Sequence, residues 1–223
     1  MTKDYSELFV LSSKIYTDLE EITGRKFSGD ETYGHILFKN LGAIMDVNLK
    51  HVELSFFDEP GNILLDSGVV LVSEGGGEFA SSRFTEYSDG SIEILINRSY
   101  LHDSNCLVSA IVFEIARLKL RRDGKEYSDD VVSLEVVLLL FGFGIFNANS
   151  SVIKMEAWFN DLKSESYMYK GPSQLSPEAH GFLMALYSYY RGENNPDWVS
   201  YLEKEISKAY YIGLRYLRSR SVI

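Results

Sequence analysis

The most constraining feature of the sequence is a run of apolar residues between positions 131 and 146. If this run is helical, apolar side chains cover nearly its whole circumference, so the helix needs other elements around it. Its most apolar part, Val136 to Phe146, has eleven residues and two glycines and is too short to cross a bilayer. The run therefore predicts a helix inside a protein core, and we expect no membrane partner.

The remaining hydrophobic pattern predicts an α+β fold. Between about 35 and 98, alternating side chains and turn residues predict a small mixed or antiparallel sheet, with one hairpin closed on Asp89-Gly90. Helical spacing of apolar residues recurs over 4–22, 107–120, 177–191 and 198–218, whereas 147–176 reads as a loop and irregular segment. This pattern predicts a small N-terminal and central sheet followed by a mainly helical part.

The chain contains no Pro- or Ser-rich linker that would separate two domains. We therefore expect a single domain over 1–223, with an N-terminal helix and a β-rich part in 1–91 and a helical part in 92–223. The opening residues, MTKDYSELFVLSSKIYTDLEE, are charged throughout and do not resemble a signal peptide, so a cytoplasmic protein is expected.

The charge of the chain limits the class of partner. The formal net charge is −10 at pH 7, whereas contacts to phosphates need clustered Lys and Arg. A general nucleic-acid binder is therefore not expected, whereas a basic protein partner is compatible with the charge. The acidic stretches that would face such a partner are 18–21, 128–130 and 192–197, with tyrosine-rich segments at the contact.

The segment IVFEIARLKL, residues 111–120, is a degenerate H-E-x-x-H motif. Two histidines four residues apart on a helix grip one zinc ion, and the intervening Glu acts as general base on the metal-bound water. Here only the acid, Glu114, is present, because Phe113 and Arg117 occupy the two histidine positions. A phenyl ring has no lone pair and a guanidinium is always cationic, so neither residue can bind Zn²⁺.

The chain from Ile92 to Leu217 resembles a bacterial zincin-like family of uncharacterised HExxH metallopeptidase-type proteins. The stretch IEILINRSYLHDSNCLVSAIVFEIARLKL is similar to the family's strand and active-site helix, and SLEVVLLLFGFGIFNANS to its next helix. GPSQLSPEAHGFLMALYSYYRGENNPDWVSYL and AYYIGLRYL are similar to its later segments. The resemblance implies a zincin-like helical part and places Glu135 at the family's acidic third-ligand position. The first ninety residues show no such resemblance.

The two lost histidines imply a member of this family without catalytic residues, metal or cofactor. We expect Phe113, Glu114, Arg117 and Glu135 to form what we call the vestigial site. In it, the Phe113 ring fills the space of the ion and Arg117 bridges the carboxylates of Glu114 and Glu135, because two buried carboxylates need compensation. The alternative is that Arg117 extends into solvent and Glu114 pairs elsewhere.

The functional hypothesis is a pseudoenzyme, a non-catalytic pseudo-metallopeptidase that acts as a protein-binding module. Its acidic charge suits an immunity protein or antitoxin that neutralises a basic toxin domain. One alternative is a regulator or partner of an active relative. Another is a metal-dependent hydrolase with non-standard ligands, drawn from Glu114, Glu135 and the four histidines, which are His35, His51, His102 and His180.

Overall fold

Helices supply most of the regular structure. The computed structural model describes residues 14–58, 63–64, 70–71, 82–124, 128–159, 162–169, 171–173 and 175–220. In these ranges the helices are α1 (Leu19–Thr23), α2 (Glu31–Ile44), α3 (Ser104–Arg122), α4 (Val131–Leu140), α5 (Gly144–Ser151), α6 (Pro177–Tyr190) and α7 (Lys204–Arg220). Short 3₁₀ turns precede α3 (Arg98–His102) and α7 (Asp197–Tyr201).

The strands form one three-stranded sheet and two hairpins. They are β1 (Val52–Phe57), β2 (Ile63–Leu64), β3 (Val70–Leu71), β4 (Ser82–Glu86), β5 (Ile92–Asn97), β6 (Val152–Phe159) and β7 (Leu162–Tyr169). The sheet has the order β1-β5-β4, whereas β2 pairs with β3 and β6 pairs with β7. β1 is parallel to β5 and β4 is antiparallel to it, so the predicted mixed sheet and the α+β class are confirmed.

The hairpin between β4 and β5 is closed as the sequence predicts. Gly90 has a φ of 81°, a left-handed conformation that favours glycine. The side chain of Asp89 accepts a hydrogen bond from the Ser91 amide at 2.9 Å, as Asp does in tight turns. The turn fixes the register in which Phe84 lies opposite Ile94.

The core is arranged around α3. Asp103 caps this helix by accepting from the Cys106 amide, and the side chains of Leu107, Ile111, Ile115 and Leu118 are completely buried. The helices α2, α4 and α5 and the sheet pack around it, so the main hydrophobic cluster draws residues from both 1–91 and 92–223. A second cluster lies mainly between α6 and α7.

The helix predicted over 131–146 is wrong at one point, because the chain turns at Gly142. Gly142 has a φ of 89°, and a Cβ at this position would meet the carbonyl oxygen of Lys14. Its own carbonyl accepts a hydrogen bond from the Tyr16 amide at 2.9 Å. The break separates α4 from α5, so residues on the two helices can face each other.

Four further expectations need correction. Residues 14–18 precede the first helix, which begins at Leu19 after the Asp18 cap, and the rest of the predicted 4–22 helix lies outside the described residues. The helix α2 lies where loop and strand were expected, and the β6–β7 hairpin lies in the predicted irregular segment. The predicted 198–218 helix is a 3₁₀ turn followed by α7.

Within the described ranges, every helix is too short or too polar to span a membrane.

Candidate functional site

The degenerate motif lies on the buried central helix. Phe113 and Glu114 are only 3% and 1% exposed, and the Arg117 side chain is 20% exposed. Because residues three and four positions apart on a helix share a face, Arg117 lies one turn from both of the others. The vestigial site is therefore inside the protein, with a single cationic group at its rim.

Glu114 is held by two donors. The Ser82 hydroxyl, at the start of β4, donates to Glu114 Oε1, and Arg117 Nη1 donates to Glu114 Oε2 at 2.5 Å. Burial raises the pKa of Glu114, and the charge of Arg117 and the hydrogen bonds from Ser82 and Arg117 oppose this effect. Both oxygens of this carboxylate are thus occupied by protein groups.

Arg117 also reaches the loop before α4. Its Nε atom lies 3.1 Å from Asp129 Oδ1, as an ion pair whose N–H is not aligned for a hydrogen bond. The guanidinium carbon lies 5.5 Å from the centre of the Phe113 ring and 5.9 Å from that of Phe84. Arg117 therefore bridges Glu114 and Asp129, and its guanidinium lies near the rings of Phe113 and Phe84.

The predicted bridge from Arg117 to Glu135 is wrong. Glu135 Oε2 accepts a hydrogen bond from Asn147 Nδ2 on α5, and it lies 4.0 Å from His180 Nδ1 on α6. Because the chain turns at Gly142, Asn147 on α5 lies beside Glu135 on α4. Glu135 therefore bonds to α5 and lies apart from Arg117 on α3. The fourth member of the vestigial site thus belongs to a different cluster.

This second cluster is a buried polar network between α3, α4, α5 and α6. Ser109 donates to Asn147 Oδ1 at 2.5 Å, and His180 Nε2 lies 2.9 Å from the Ser173 hydroxyl. Its members are Ser109, Glu135, Asn147, Ser173 and His180, and none is more than 7% exposed. The network had no local sequence signal, because its members are up to 71 positions apart (180 − 109).

One oxygen of Glu135 faces a small cavity. Glu135 Oε1 is buried and has no hydrogen-bond partner among the described residues. The cavity beside it has a volume of about 10 Å³, room for about one water molecule, and Asn147 and His180 also line it. Burial raises the pKa of Glu135 to about 7 and lowers the pKa of His180 to about 4. At neutral pH the histidine is therefore uncharged.

The zinc ion that the family resemblance implies does not fit these residues. Phe113 offers no ligand atom, Arg117 is cationic, and both oxygens of Glu114 already accept hydrogen bonds. Across the described ranges, no group of three His, Cys, Asp or Glu side chains is placed to hold a metal ion. His35, His51 and His102 are exposed, and among the described residues His180 has a carboxylate within 4.0 Å, that of Glu135.

The acidic stretches named from the sequence differ in how far the fold already uses them. Asp129 pairs with Arg117 and Arg121, and Asp130 caps α4 through the Ser133 amide. In 192–197, Glu193 accepts from Arg191 Nε at 2.6 Å and from Trp198 Nε1 at 3.3 Å. In the stretch 18–21, Asp18 caps α1 and Glu21 pairs with Lys14, and the exposed Glu20 lines an open groove together with them.

The tyrosine-rich segments meet these acids at two places, and at one of them the Tyr211 hydroxyl on α7 donates to Asn195 Oδ1 of the 192–197 stretch at 3.3 Å. The helix α7 carries five Lys and Arg residues and one Glu, so its exposed tyrosines stand on the most basic helix of the described chain. Tyr201, in the preceding 3₁₀ turn, is 56% exposed and lines the same groove as Asp18 to Glu21. The expected combination of tyrosine and carboxylate thus occurs at that groove.

Comparison with known proteins adds no family to this description. No family model, curated protein or solved structure matches the chain. The zincin-like resemblance therefore rests on the sequence segments quoted above.

Proposed function

We propose that this chain is a non-catalytic pseudo-metallopeptidase that works by binding a basic protein, in the manner of an immunity protein or antitoxin. The observation that carries the proposal is the closed network of Ser82, Glu114, Arg117 and Asp129 at the degenerate motif. A general base must reach a water molecule beside the substrate, and here the acid of the motif is bound on both oxygens by the protein itself.

The network also accounts for how the helix packing persists without a metal. A buried carboxylate without compensation is costly, and in a zinc enzyme the ion supplies the positive charge. Arg117 supplies that charge here, from a position one turn along the helix, and the Phe113 ring occupies the adjacent space. A protein that keeps its core packed but has no catalytic residues can still bind another protein through its surface. We therefore favour a binding role over a catalytic one.

The charge of the chain supports a basic partner. A net charge of −10 attracts a cationic protein at long range and accelerates its association, although it does not by itself provide affinity. A toxin domain that acts on nucleic acid or membrane is commonly cationic, and an acidic protein would mask that surface. This chemistry is the reason for choosing an immunity role among protein-binding roles.

The proposal is tested by capturing the partner protein from cell extract and then forming the complex again from the two purified proteins. The tagged full-length chain is used as bait in extracts of its own cells, beside an unrelated acidic protein of net charge −10 as control. We expect a basic protein on the first bait alone, a one-to-one complex when the two proteins are purified, and loss of the partner's toxic activity in that complex. An acidic partner contradicts the proposal, as does peptidase activity of the purified chain that a chelator abolishes.

The same experiment separates the remaining roles. If the captured protein is an active zincin-like enzyme, the chain is a regulator of that relative, and inhibition or activation of the enzyme replaces the toxicity assay. A metal-dependent hydrolase with rebuilt ligands has less support, because Glu135 and His180 are the one carboxylate–histidine pair within 4.0 Å among the described residues. Two protein ligands fall short of the three or four that hold zinc.

A further inference from the structure

An open groove runs between α1, the start of α3, the start of α5 and the 3₁₀ turn before α7. Its volume is about 510 Å³, which is the size of a pocket for a large side chain or a short peptide. Phe146, which is 3% exposed, forms part of its floor. Tyr201 is held at one wall, because its carbonyl accepts from Asn149 Nδ2 at 2.8 Å.

The charged residues of the groove give it a negative balance. Three carboxylates, Asp18, Glu20 and Glu21, line it together with one cation, Lys26. Asp18 caps α1 through the Glu20 amide at 2.8 Å, and Glu21 pairs with Lys14 at 3.2 Å. The Glu20 carboxylate makes no hydrogen bond or ion pair with any other residue that the structure describes, and it is exposed.

Two aromatic rings line the same groove. Phe27 is 37% exposed and Tyr201 is 56% exposed, so both rings are accessible to a ligand. A guanidinium stacks on aromatic faces and pairs with carboxylates through two parallel hydrogen bonds. Aromatic rings beside the unpaired Glu20 carboxylate therefore favour arginine over an apolar or anionic group.

We infer that this groove is the docking site for an arginine-bearing segment of the protein partner. The inference rests on the proposed function and deepens it, since it assigns a place and a side chain to the binding of a basic protein. Charge selects this occupant: Glu20 is exposed and unpaired among the described residues, Asp129 and Glu193 are paired within the chain, and the exposed face of α7 is basic. Glu20 holds the guanidinium, and the Phe27 and Tyr201 rings pack against its plane.

The first test uses a defined probe, a fluorescein-labelled (Gly-Arg)₄ peptide, with (Gly-Glu)₄ as its negative counterpart. Binding to the full-length protein is followed by fluorescence anisotropy at low salt. We expect Glu20→Gln and Tyr201→Ala each to weaken binding of the arginine peptide about fivefold. The matched controls, Glu53→Gln on β1 and Tyr190→Ala at the end of α6, should leave it within about twofold of wild type.

Each other outcome overturns the assignment. Equal weakening by Glu20→Gln and Glu53→Gln means that the peptide follows net charge alone. Self-association of the wild type that Glu20→Lys abolishes assigns the groove to a second copy of the chain. Binding that appears only after deletion of residues 1–13 assigns it to that segment of the same chain.

The second test separates this inference from the proposed function. Wild-type and Glu20→Lys baits are compared in the capture experiment, with Glu53→Lys as the control. Capture by the wild type and by Glu53→Lys but not by Glu20→Lys supports the groove. If all three baits retain the basic partner, the groove is wrong and the proposed function stands. If the wild type retains no basic partner, the proposed function itself fails.

Discussion

Arg117 neutralises a carboxylate that is almost completely buried. We expect Arg117→Ala to lower the free energy of unfolding by about 3 kcal/mol, because it leaves Glu114 with Ser82 as its one partner. The double variant with Glu114→Gln should lose less, since the neutral amide needs no counter-charge. Urea denaturation of the three variants measures this. A loss below about 0.5 kcal/mol would show that Arg117 is merely a surface residue.

The pH dependence of this variant provides a check on the mechanism. Burial raises the pKa of Glu114, so its contribution to stability is present below the unfolded pKa and is lost as pH rises through the folded pKa. The charge of Arg117 opposes the rise in the pKa of Glu114, so the Arg117→Ala substitution should raise the pKa of Glu114 further. The deficit of Arg117→Ala should therefore shrink as the pH falls from 8 toward 5, whereas a packing defect would not change.

Glu135 and His180 should make opposite contributions to the pH dependence of stability. With a pKa raised from 4.5 to about 7, Glu135 favours folding below pH 4.5 and loses this contribution as pH rises through 7. With a pKa lowered from 6.5 to about 4, His180 favours folding above pH 6.5 and loses this contribution as pH falls through 4. Between pH 4.5 and 6.5 the two effects oppose each other.

Substituting Glu135 or His180 alone should reveal the contribution of the other residue to the pH dependence of stability. We expect the stability of Glu135→Gln to fall on acidification and that of His180→Gln to fall as the pH rises, each by about 2–3 kcal/mol across its window. The wild type should change little between pH 4.5 and 6.5. Guanidinium denaturation at half-unit intervals of pH measures all three. Parallel curves for the two variants would mean that neither group carries its shifted pKa.

The ligand positions also predict the metal content. Protein purified without chelator should contain far less than one zinc per chain, because Phe113 and Arg117 supply no ligand atoms. A chelator should leave the thermal unfolding temperature unchanged, since no metal-binding free energy contributes to folding. Elemental analysis and calorimetry measure the two. One zinc per chain would redirect the search for ligands to Glu114, Glu135 and the histidines.

For individual residues, the sequence predicts the contacts between side chains on the same helix. The partnership of Phe113, Glu114 and Arg117 follows from helical spacing alone. Ser82 is 32 positions from Glu114 and reaches it only because β4 packs beside α3, so no local pattern indicates that hydrogen bond. Glu135 was assigned a partner by family analogy, and the tertiary arrangement of α5 and α6 gives it others.

Among the elements, the packing of α6 against α7 depends on glycine. A Cβ on Gly181 would lie 2.5 Å from Ala209 Cβ and 2.7 Å from backbone atoms of Ile206 and Tyr210, so the helices would have to move apart. We expect Gly181→Ala to destabilise the protein by about 2–3 kcal/mol despite its better helix propensity. Thermal or urea denaturation measures the loss.

Gly213→Ala is the matched control, because it changes the same residue type in the facing helix. Its Cβ would lie 3.1 Å from Ala185 Cβ and 3.1 Å from the Phe182 ring, contacts that a small adjustment relieves. Its gain in helix propensity, about 1 kcal/mol, should offset the tight contact and leave stability near wild type. Equal losses in the two variants would mean that the close approach at Gly181 is not what joins the helices.

The elements that the sequence predicts are those with a strong local signal. α3, α6 and the β4–β5 hairpin have an apolar period, a capping residue or a turn glycine, and they were found. The break at Gly142 was missed, because its cause is the contact of the turn with the distant Lys14–Tyr16 segment. The helix α2 was missed although Asp30 is a good N-cap, since the chain from about residue 35 was assigned to the sheet.

For the whole molecule, the charge is unevenly distributed. The chain has a net charge of −10, yet α7 carries five basic residues and one acidic residue, so the remainder is more acidic than the total suggests. If this acidic part steers a basic partner, the association rate should fall by about tenfold between 0.05 and 0.5 M salt. The dissociation rate should change much less. Stopped-flow mixing measures both, and a salt-independent association rate would remove electrostatic steering.

Parallel pairing between β1 and β5 also sets the order in which the sheet assembles during folding. Val52 pairs with Ile92, 40 positions away (92 − 52), whereas Glu86 pairs with the same Ile92 across a tight turn. Closing the longer loop costs about 2 kcal/mol more conformational entropy than closing the turn. We therefore expect the β4–β5 hairpin to form before β1 pairs with β5.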